Sequence, residues 1–130
     1  MRALHNFIRS ARQRLPRENV LMKLQLLSDL HLESHPHFEA TPAPGADLLV
    51  LAGDIGSYQA GSRLDGELFG LERFSPRPGW PVPVLYVPGN HEYDNDDFDA
   101  VHQRLREACE QLDIRWVGSE TLVVDGVGFV

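Results

Sequence analysis

The chain has few cysteines, few cations and no long apolar segment. Its single cysteine, Cys109, excludes an internal disulfide, so disulfides do not hold the fold. No apolar stretch approaches the about 18–20 residues needed to cross a bilayer, and no secretory apolar region of the usual kind is found. Twelve basic and 19 acidic residues give a net charge of −7, which argues against a general nucleic-acid groove. These absences predict a soluble cytoplasmic protein.

The cations that are present concentrate at the N-terminus. Residues 1–21 contain five Arg and one acidic residue, whereas the remainder contains seven basic and 18 acidic residues. Apolar residues recur there at helical spacing: Leu4, Phe7, Ile8, Ala11 and Leu15. This basic N-terminal extension is typical of an amphipathic helix on an anionic membrane surface, or of a transit peptide. We favour a third interpretation, a loose tail or an extension upstream of a start at Met22.

Three short polar strings follow three apolar runs that predict buried β-strands. The runs are Leu24–Leu27, Leu48–Ala52 and Val82–Val87, each continuously apolar, as in strands covered on both faces. The strings are Asp29-Leu30-His31, Gly53-Asp54 and Gly89-Asn90-His91-Glu92. Ligands bind outside the carboxyl ends of the strands in open α/β sheets. The sequence therefore predicts an α/β fold in which three strand ends share one site.

The residue types in these strings suit metal ions. Because residues i and i+2 of an extended chain point the same way, Asp29 and His31 are expected to bind one ion together. A glycine before Asp54 permits a sharp turn and leaves its carboxylate free to bridge two ions. Asn90 offers a neutral oxygen, and His91 a proton donor or charge stabiliser. The mixed nitrogen and oxygen donors indicate Mn, Fe or Zn.

The three strings, in this order, resemble the pattern of the calcineurin-like metallophosphoesterase family. The resemblance implies that Asp29 and His31 bind a first metal, and that Asp54 bridges it to a second. It further implies that Asn90 binds the second metal and that His91 assists at the phosphate. The expected activity is hydrolysis of phosphomonoesters or phosphodiesters by a metal-bound hydroxide at a dinuclear centre. The expected fold is a two-sheet β-sandwich flanked by helices.

The family's pattern continues with a further His and a Gly-His-x-His string, and this sequence contains neither. We therefore expect residues 22–130 to form the N-terminal part of the domain, with an incomplete sandwich and an incomplete site. The alternative is a non-catalytic metal-binding or assembly module of the same fold. Such a module would bind a partner through an exposed strand edge.

Small phosphoesters are the expected substrates, because the domain has few cations with which to bind a nucleic-acid backbone. A nuclease stays an alternative, since bound metals attract phosphate locally. Gly53-Asp54 lacks the Asp-Arg-Gly continuation of the family branch that resembles protein Ser/Thr phosphatases, which disfavours that activity. Residues 57–81 form a loop-rich segment of the kind that often sets specificity.

The remaining patterns predict structure. Apolar residues at helical spacing predict a helix: Phe98, Val101, Leu105, Ala108 and Leu112. The acidic cluster Asp96, Asp97 and Asp99 suits the amino end of that helix. Asp125-Gly126, between Leu122–Asp125 and Val127–Val130, predicts a β-hairpin.

Five residues near these patterns admit simpler interpretations. His35 and His37 are expected in an exposed loop, not as ligands. Cys109 is expected in the core, and Trp80 either in a substrate loop or at the edge of the core. Glu92 is expected to orient His91 or to lie in a solvated turn, and is left out of the catalytic set.

Overall fold

The computed structural model describes residues 21–77, 79–94, 96–118 and 122–129. The predictions for the basic N-terminal extension fall outside these residues, Leu21 apart. Within the described ranges, no helix is long and apolar enough to cross a membrane.

A four-stranded parallel sheet forms the centre of the fold. Its strands are β1 (Leu24–Leu27), β2 (Leu48–Ala52), β3 (Val84–Val87) and β4 (Arg115–Trp116), in that spatial order. The bounds of β1 and β2 are those predicted. The strand β3 begins two residues later than predicted, directly after Pro83, which has no N–H to donate to a strand ladder. The strand β4 is two residues long and was not predicted.

The predicted helix α1 (Phe98–Gln111) connects β3 to β4. The Asp97 carboxylate accepts a hydrogen bond from Ala100 N at 3.0 Å, and so caps the helix. Asp96 accepts one from Arg104 at 3.3 Å. The acidic cluster therefore serves the helix terminus, as predicted.

One face of α1 packs into the core. Val101, Leu105, Ala108 and Cys109 are buried, and burial raises the pKa of the Cys109 thiol to about 12. Phe98, which the helical spacing assigns to the same face, is 58% exposed. Its ring stacks on Tyr93 at a centroid distance of 4.4 Å, because the helix begins beside a 3₁₀ helix at His91–Tyr93. The prediction for Phe98 is therefore wrong.

The two faces of the sheet differ, and we call them the packed face and the open face. The packed face consists of Leu49, Leu51, Val84 and Tyr86, which are buried against α1 and a 3₁₀ helix at Leu71–Phe74. Trp80 lies at the edge of this core, and its ring centroid is 5.6 Å from that of Phe74.

Among the described residues, an antiparallel hairpin of β5 (Leu122–Val124) and β6 (Val127–Phe129) covers part of the open face. Val124 packs against Leu48 and Leu85 there. The turn residues Asp125 and Gly126 have φ angles of 49° and 80°, as the predicted two-residue turn requires. The hairpin is the second sheet of the α/β fold, in keeping with a partial two-sheet sandwich.

The strand β1 forms an edge of the sheet, and its open-face side chains are solvent-exposed. Leu24 is 49% and Leu26 65% exposed. The expectation that all three apolar runs are covered on both faces is wrong for β1, because a continuous apolar run does not distinguish an edge strand from a central one.

Candidate metal centre

Backbone hydrogen bonds join the segments that follow β1 and β2. The N–H of Asp29 donates to Gly53 O at 3.0 Å, and the N–H of His31 donates to Asp54 O at 3.1 Å. These two bonds bring the first and second polar strings side by side at the carboxyl ends of the strands.

Three of the predicted site residues have a left-handed backbone. The φ angles of Asp29, His31 and Asp54 are 54°, 47° and 53°. The expectation that Asp29 and His31 point the same way as alternate residues of an extended chain is therefore wrong, since the chain is not extended there. Residues without glycine's freedom are strained in this region, and such strain clusters at functional sites.

Two glycines let the second and third polar strings approach closely. A Cβ on Gly53 would lie 2.9 Å from the Cα of Gly89, closer than real Cβ atoms come to backbone. A Cβ on Gly89 would lie 2.6 Å from the backbone nitrogen of Asp54. Only glycine at both positions permits this contact.

Glu92 connects the second and third polar strings to the core through hydrogen bonds. Its carboxylate is 2% exposed and accepts hydrogen bonds from Ile55 N at 2.9 Å, from Tyr86 Oη at 3.1 Å and from Gly89 N. Burial raises the pKa of Glu92 to about 7, although the bond from Gly89 N lowers it. Neither expectation for Glu92 was right, because it neither contacts the imidazole of His91 nor lies in a solvated turn.

The strings bring together His31, Asp54 and His91. One potential ligand atom from each lies within 4.8 Å of the others. The His31 and His91 rings meet edge to face at a centroid distance of 5.1 Å. Asp54 Oδ1 accepts a hydrogen bond from the backbone N–H of His91 at 3.0 Å, which leaves Oδ2 for another partner. We call this group the donor cluster.

A buried carboxylate orients the ring of His31. Nδ1 of His31 donates to Glu33 Oε1 at 2.8 Å, so Nε2 is left as the acceptor that a metal requires. Glu33 is 3% exposed, and its Oε2 has no hydrogen-bond partner among the described residues. Sequence reasoning missed Glu33, although its position two residues after a predicted histidine ligand was a usable signal.

A second carboxylate orients His91. Nδ1 of His91 donates to Asp94 Oδ2 at 2.6 Å, and this bond raises the pKa of His91. Sequence reasoning missed Asp94 as well, because its separation of three residues is significant only once the 3₁₀ helix has formed.

Residues 22–127 match the family model described as calcineurin-like phosphoesterase. The chain belongs to the calcineurin-like phosphoesterase family. The structure of a phosphopantetheinyl hydrolase from Mycobacterium tuberculosis has a similar fold, with a TM-score of 0.50 and 22% sequence identity. That likeness covers 79% of this chain and 38% of the neighbour, so the chain spans well under half of the neighbour's length. No curated protein gives a significant match.

The donor atoms of the cluster are of the kind that bind a divalent metal ion. The donor cluster combines imidazole nitrogen with carboxylate oxygen, and a buried carboxylate fixes the His31 ring with one nitrogen available.

One predicted carboxylate ligand, Asp29, lies outside the donor cluster. The Asp29 carboxylate is exposed and lines a groove beside the cluster, with His35 and His37 along the same groove. Both histidines are exposed, as predicted. Asn90 is exposed and precedes the 3₁₀ helix at His91–Tyr93, but its side chain makes no capping hydrogen bond. The Asn90 amide is thus not committed to the helix.

Proposed function

We propose that this chain provides the metal centre of a phosphoesterase that hydrolyses small phosphomonoesters or phosphodiesters. Two divalent ions, Mn, Fe or Zn, are the proposed cofactors. The observation on which the proposal rests is the convergence of His31, Asp54 and His91 at the carboxyl ends of three parallel strands. Membership of the family supports the coarser function, metal-dependent hydrolysis.

In this proposal, Asp29 and His31 bind one ion, Asp54 bridges both, and Asn90 binds the second. The hydrogen bond that Nδ1 of His31 donates to Glu33 supports the role of His31, because it leaves Nε2 available. The N–H of His91 donates to Oδ1 of Asp54 alone, which supports a bridging role for Oδ2. Divalent ions, when bound, offset charge on phosphoryl oxygens and lower the pKa of water.

His91 is proposed to act at the phosphate. Its hydrogen bond to Asp94 raises the pKa of the imidazole and so favours the protonated ring. A protonated ring whose Nδ1 is held by Asp94 has Nε2–H available to donate to a phosphoryl oxygen. Asp94 is a positioning residue in this scheme, and His91 is the group that contacts substrate.

Substitution of Asp54 tests the proposal. Isothermal titration calorimetry with Mn²⁺ is performed on the native chain, on Asp54→Asn and on Asp65→Asn, an exposed loop carboxylate that serves as the matched control. We expect Asp54→Asn to weaken Mn²⁺ binding by at least about tenfold, and Asp65→Asn to leave it unchanged. Hydrolysis of bis(4-nitrophenyl) phosphate is measured on the same three proteins.

Equal Mn²⁺ affinity of the native chain and Asp54→Asn would contradict the proposed centre. Mn²⁺ binding that depends on Asp54, without hydrolysis of any ester, would favour the non-catalytic metal-binding module instead. Hydrolysis of DNA or RNA in preference to small esters would favour the nuclease. The cytoplasmic location and the strand-edge partner stay predictions.

A further inference from the structure

A groove of about 530 Å³ lies beside the proposed metal centre. It begins at Asp29, the proposed metal ligand that is outside the donor cluster, and runs along Leu30, Ser34, Pro36, Phe38 and Arg63. A phosphoester whose phosphate lies at the donor cluster therefore has room on this side for the part of the molecule that is remote from phosphorus. Grooves of this size accommodate small organic ligands.

Two arginines fix the wall of the groove. The backbone N–H of Arg63 donates to Glu33 O at 2.9 Å, and its guanidinium donates to Ser34 O. The Arg73 guanidinium donates to Pro36 O at 3.3 Å and to Phe38 O at 2.5 Å. These bonds connect the segment that follows β1 to the loops after β2. A wall held in place before binding loses less entropy when a ligand arrives.

Arg63 is also the cation of the groove. Its side chain is exposed, and no carboxylate forms an ion pair with it among the described residues. A guanidinium has five N–H donors, and one of the two NH₂ groups of Arg63 contacts Ser34 O. The remaining donors are available for an anion, in a chain whose net charge is −7. Leu30, Pro36 and the half-exposed Phe38 supply an apolar surface next to this charge.

We infer that this groove binds the remote part of the substrate and that Arg63 recognises a second anionic group there. The substrate class is a phosphoester with an organic body and a second phosphate or carboxylate. Guanidinium groups bind both of these anions through paired N–H donors. The inference rests on the proposed function, because the reacting phosphate must lie at the donor cluster for the groove to receive the remainder of the molecule.

A matched pair of ligands tests this inference. Thymidine 5′-phosphate and thymidine 3′,5′-bisphosphate present the same 5′-phosphate and differ only in the second phosphate. Their dissociation constants for the chain are measured by calorimetry with Mn²⁺ present, on the native protein, Arg63→Ala and Arg63→Lys. The matched control is Arg77→Ala, which removes an arginine that does not line the groove. Thermal unfolding of each variant verifies that it folds.

We expect the native chain and Arg77→Ala to bind the bisphosphate about tenfold more tightly than the monophosphate, as one charge-assisted contact would give. Arg63→Ala should abolish this preference, because it should weaken binding of the bisphosphate about tenfold more than binding of the monophosphate. Arg63→Lys, which keeps the charge without the paired donors, should retain part of the preference. The 3′-O-succinyl ester of thymidine 5′-phosphate shows whether a carboxylate serves as well as phosphate.

Equal native affinity for the two ligands would overturn the inference and leave the proposed function intact. An equal loss of affinity for both ligands in Arg63→Ala, with the preference for the bisphosphate retained, would also overturn it, because Arg63 would then act only by holding the wall. If neither ligand binds in the presence of Mn²⁺, the proposed function fails together with the inference.

Discussion

The packed and open faces of the sheet are formed by the same strands but differ in what covers them. Leu49 and Leu51 of β2 are fully buried on the packed face, against α1 and the 3₁₀ helix at Leu71–Phe74. On the open face, Leu24 and Leu26 of β1 are 49% and 65% exposed, whereas Leu48 and Leu85 are buried with Val124 of the hairpin. The apolar character of a strand thus does not reveal which of its side chains are buried.

The candidate metal centre adjoins the core of the packed face. Leu32 lies between the site residues His31 and Glu33, and Ile55 follows Asp54; both are fully buried in the packed-face core. Glu92 connects the site to the same core through Tyr86. We therefore expect changes on the packed face to affect the site, and changes on the open face to leave it intact.

The largest expected effect is a loss of stability when a side chain of the packed face is truncated. Leu51→Ala removes a fully buried side chain and leaves a cavity, so it should lower the free energy of unfolding by about 2–5 kcal/mol. Leu26→Ala, in the strand paired with β2, is the matched control and should change it by less than about 1 kcal/mol. Urea denaturation measured by circular dichroism provides both values. A similar loss in the two variants would show that the faces do not differ in solution.

The next largest effect is expected when Glu92, which connects the packed face to the candidate metal centre, is substituted. Glu92→Ala leaves three hydrogen-bond donors without their acceptor, and each unsatisfied buried group costs about 1–3 kcal/mol. We expect the free energy of unfolding to fall by about 2–4 kcal/mol, less than three such costs together, because Gly89 is only half-buried and its N–H can bind water instead. Glu107→Ala, on the exposed side of α1, should have almost no effect. A small loss in Glu92→Ala would mean that water replaces the carboxylate.

The pH dependence of stability tests the same residue. The pKa of Glu92 rises from an ordinary value of 4.5 to about 7 on folding, so the folded chain binds this proton more tightly than the unfolded chain. The resulting stabilisation is complete below pH 4.5 and is lost as the pH rises to about 7. Denaturation of the metal-free native chain across this range should show the loss, and Glu92→Ala should lack this component.

The smallest expected effect is on Mn²⁺ affinity, and it compares a residue beside the donor cluster with a residue of the open face. Glu33→Ala removes the carboxylate that orients His31 and should weaken Mn²⁺ binding by about 10–100-fold, as loss of such partners does. Glu33→Gln keeps an acceptor for Nδ1–H and should lose less. Exposed Glu39→Gln and open-face Leu26→Ala should retain native affinity by calorimetry. Weakened binding in Leu26→Ala would contradict the separation of the two faces.

The parts of the fold that sequence predicted are those with a local pattern. The bounds of β1 and β2, the helix α1 and the turn at Asp125-Gly126 follow from apolar runs, helical spacing and turn chemistry. The exposure of Leu24 and Leu26 was missed because it depends on the order of the strands, which the local pattern does not encode. The short strand β4 forms only because β3 is beside it.

In the candidate site, too, the residues with a local sequence pattern were predicted and those that depend on tertiary packing were not. His31, Asp54 and His91 were found from the strings, and the structure brings them together. The carboxylates that support them were missed or misjudged, because Glu33 and Glu92 become significant only when packing buries them. The sequence identified the residues that face a ligand more readily than the residues that hold them in place.

The left-handed backbone of Asp29, His31 and Asp54 has a consequence for the evolution of this site. Each such residue costs on the order of 1 kcal/mol relative to glycine, which adopts this conformation freely. Replacement by glycine would relieve that strain but would remove the side chain. Selection for stability alone would therefore favour glycine at these three positions.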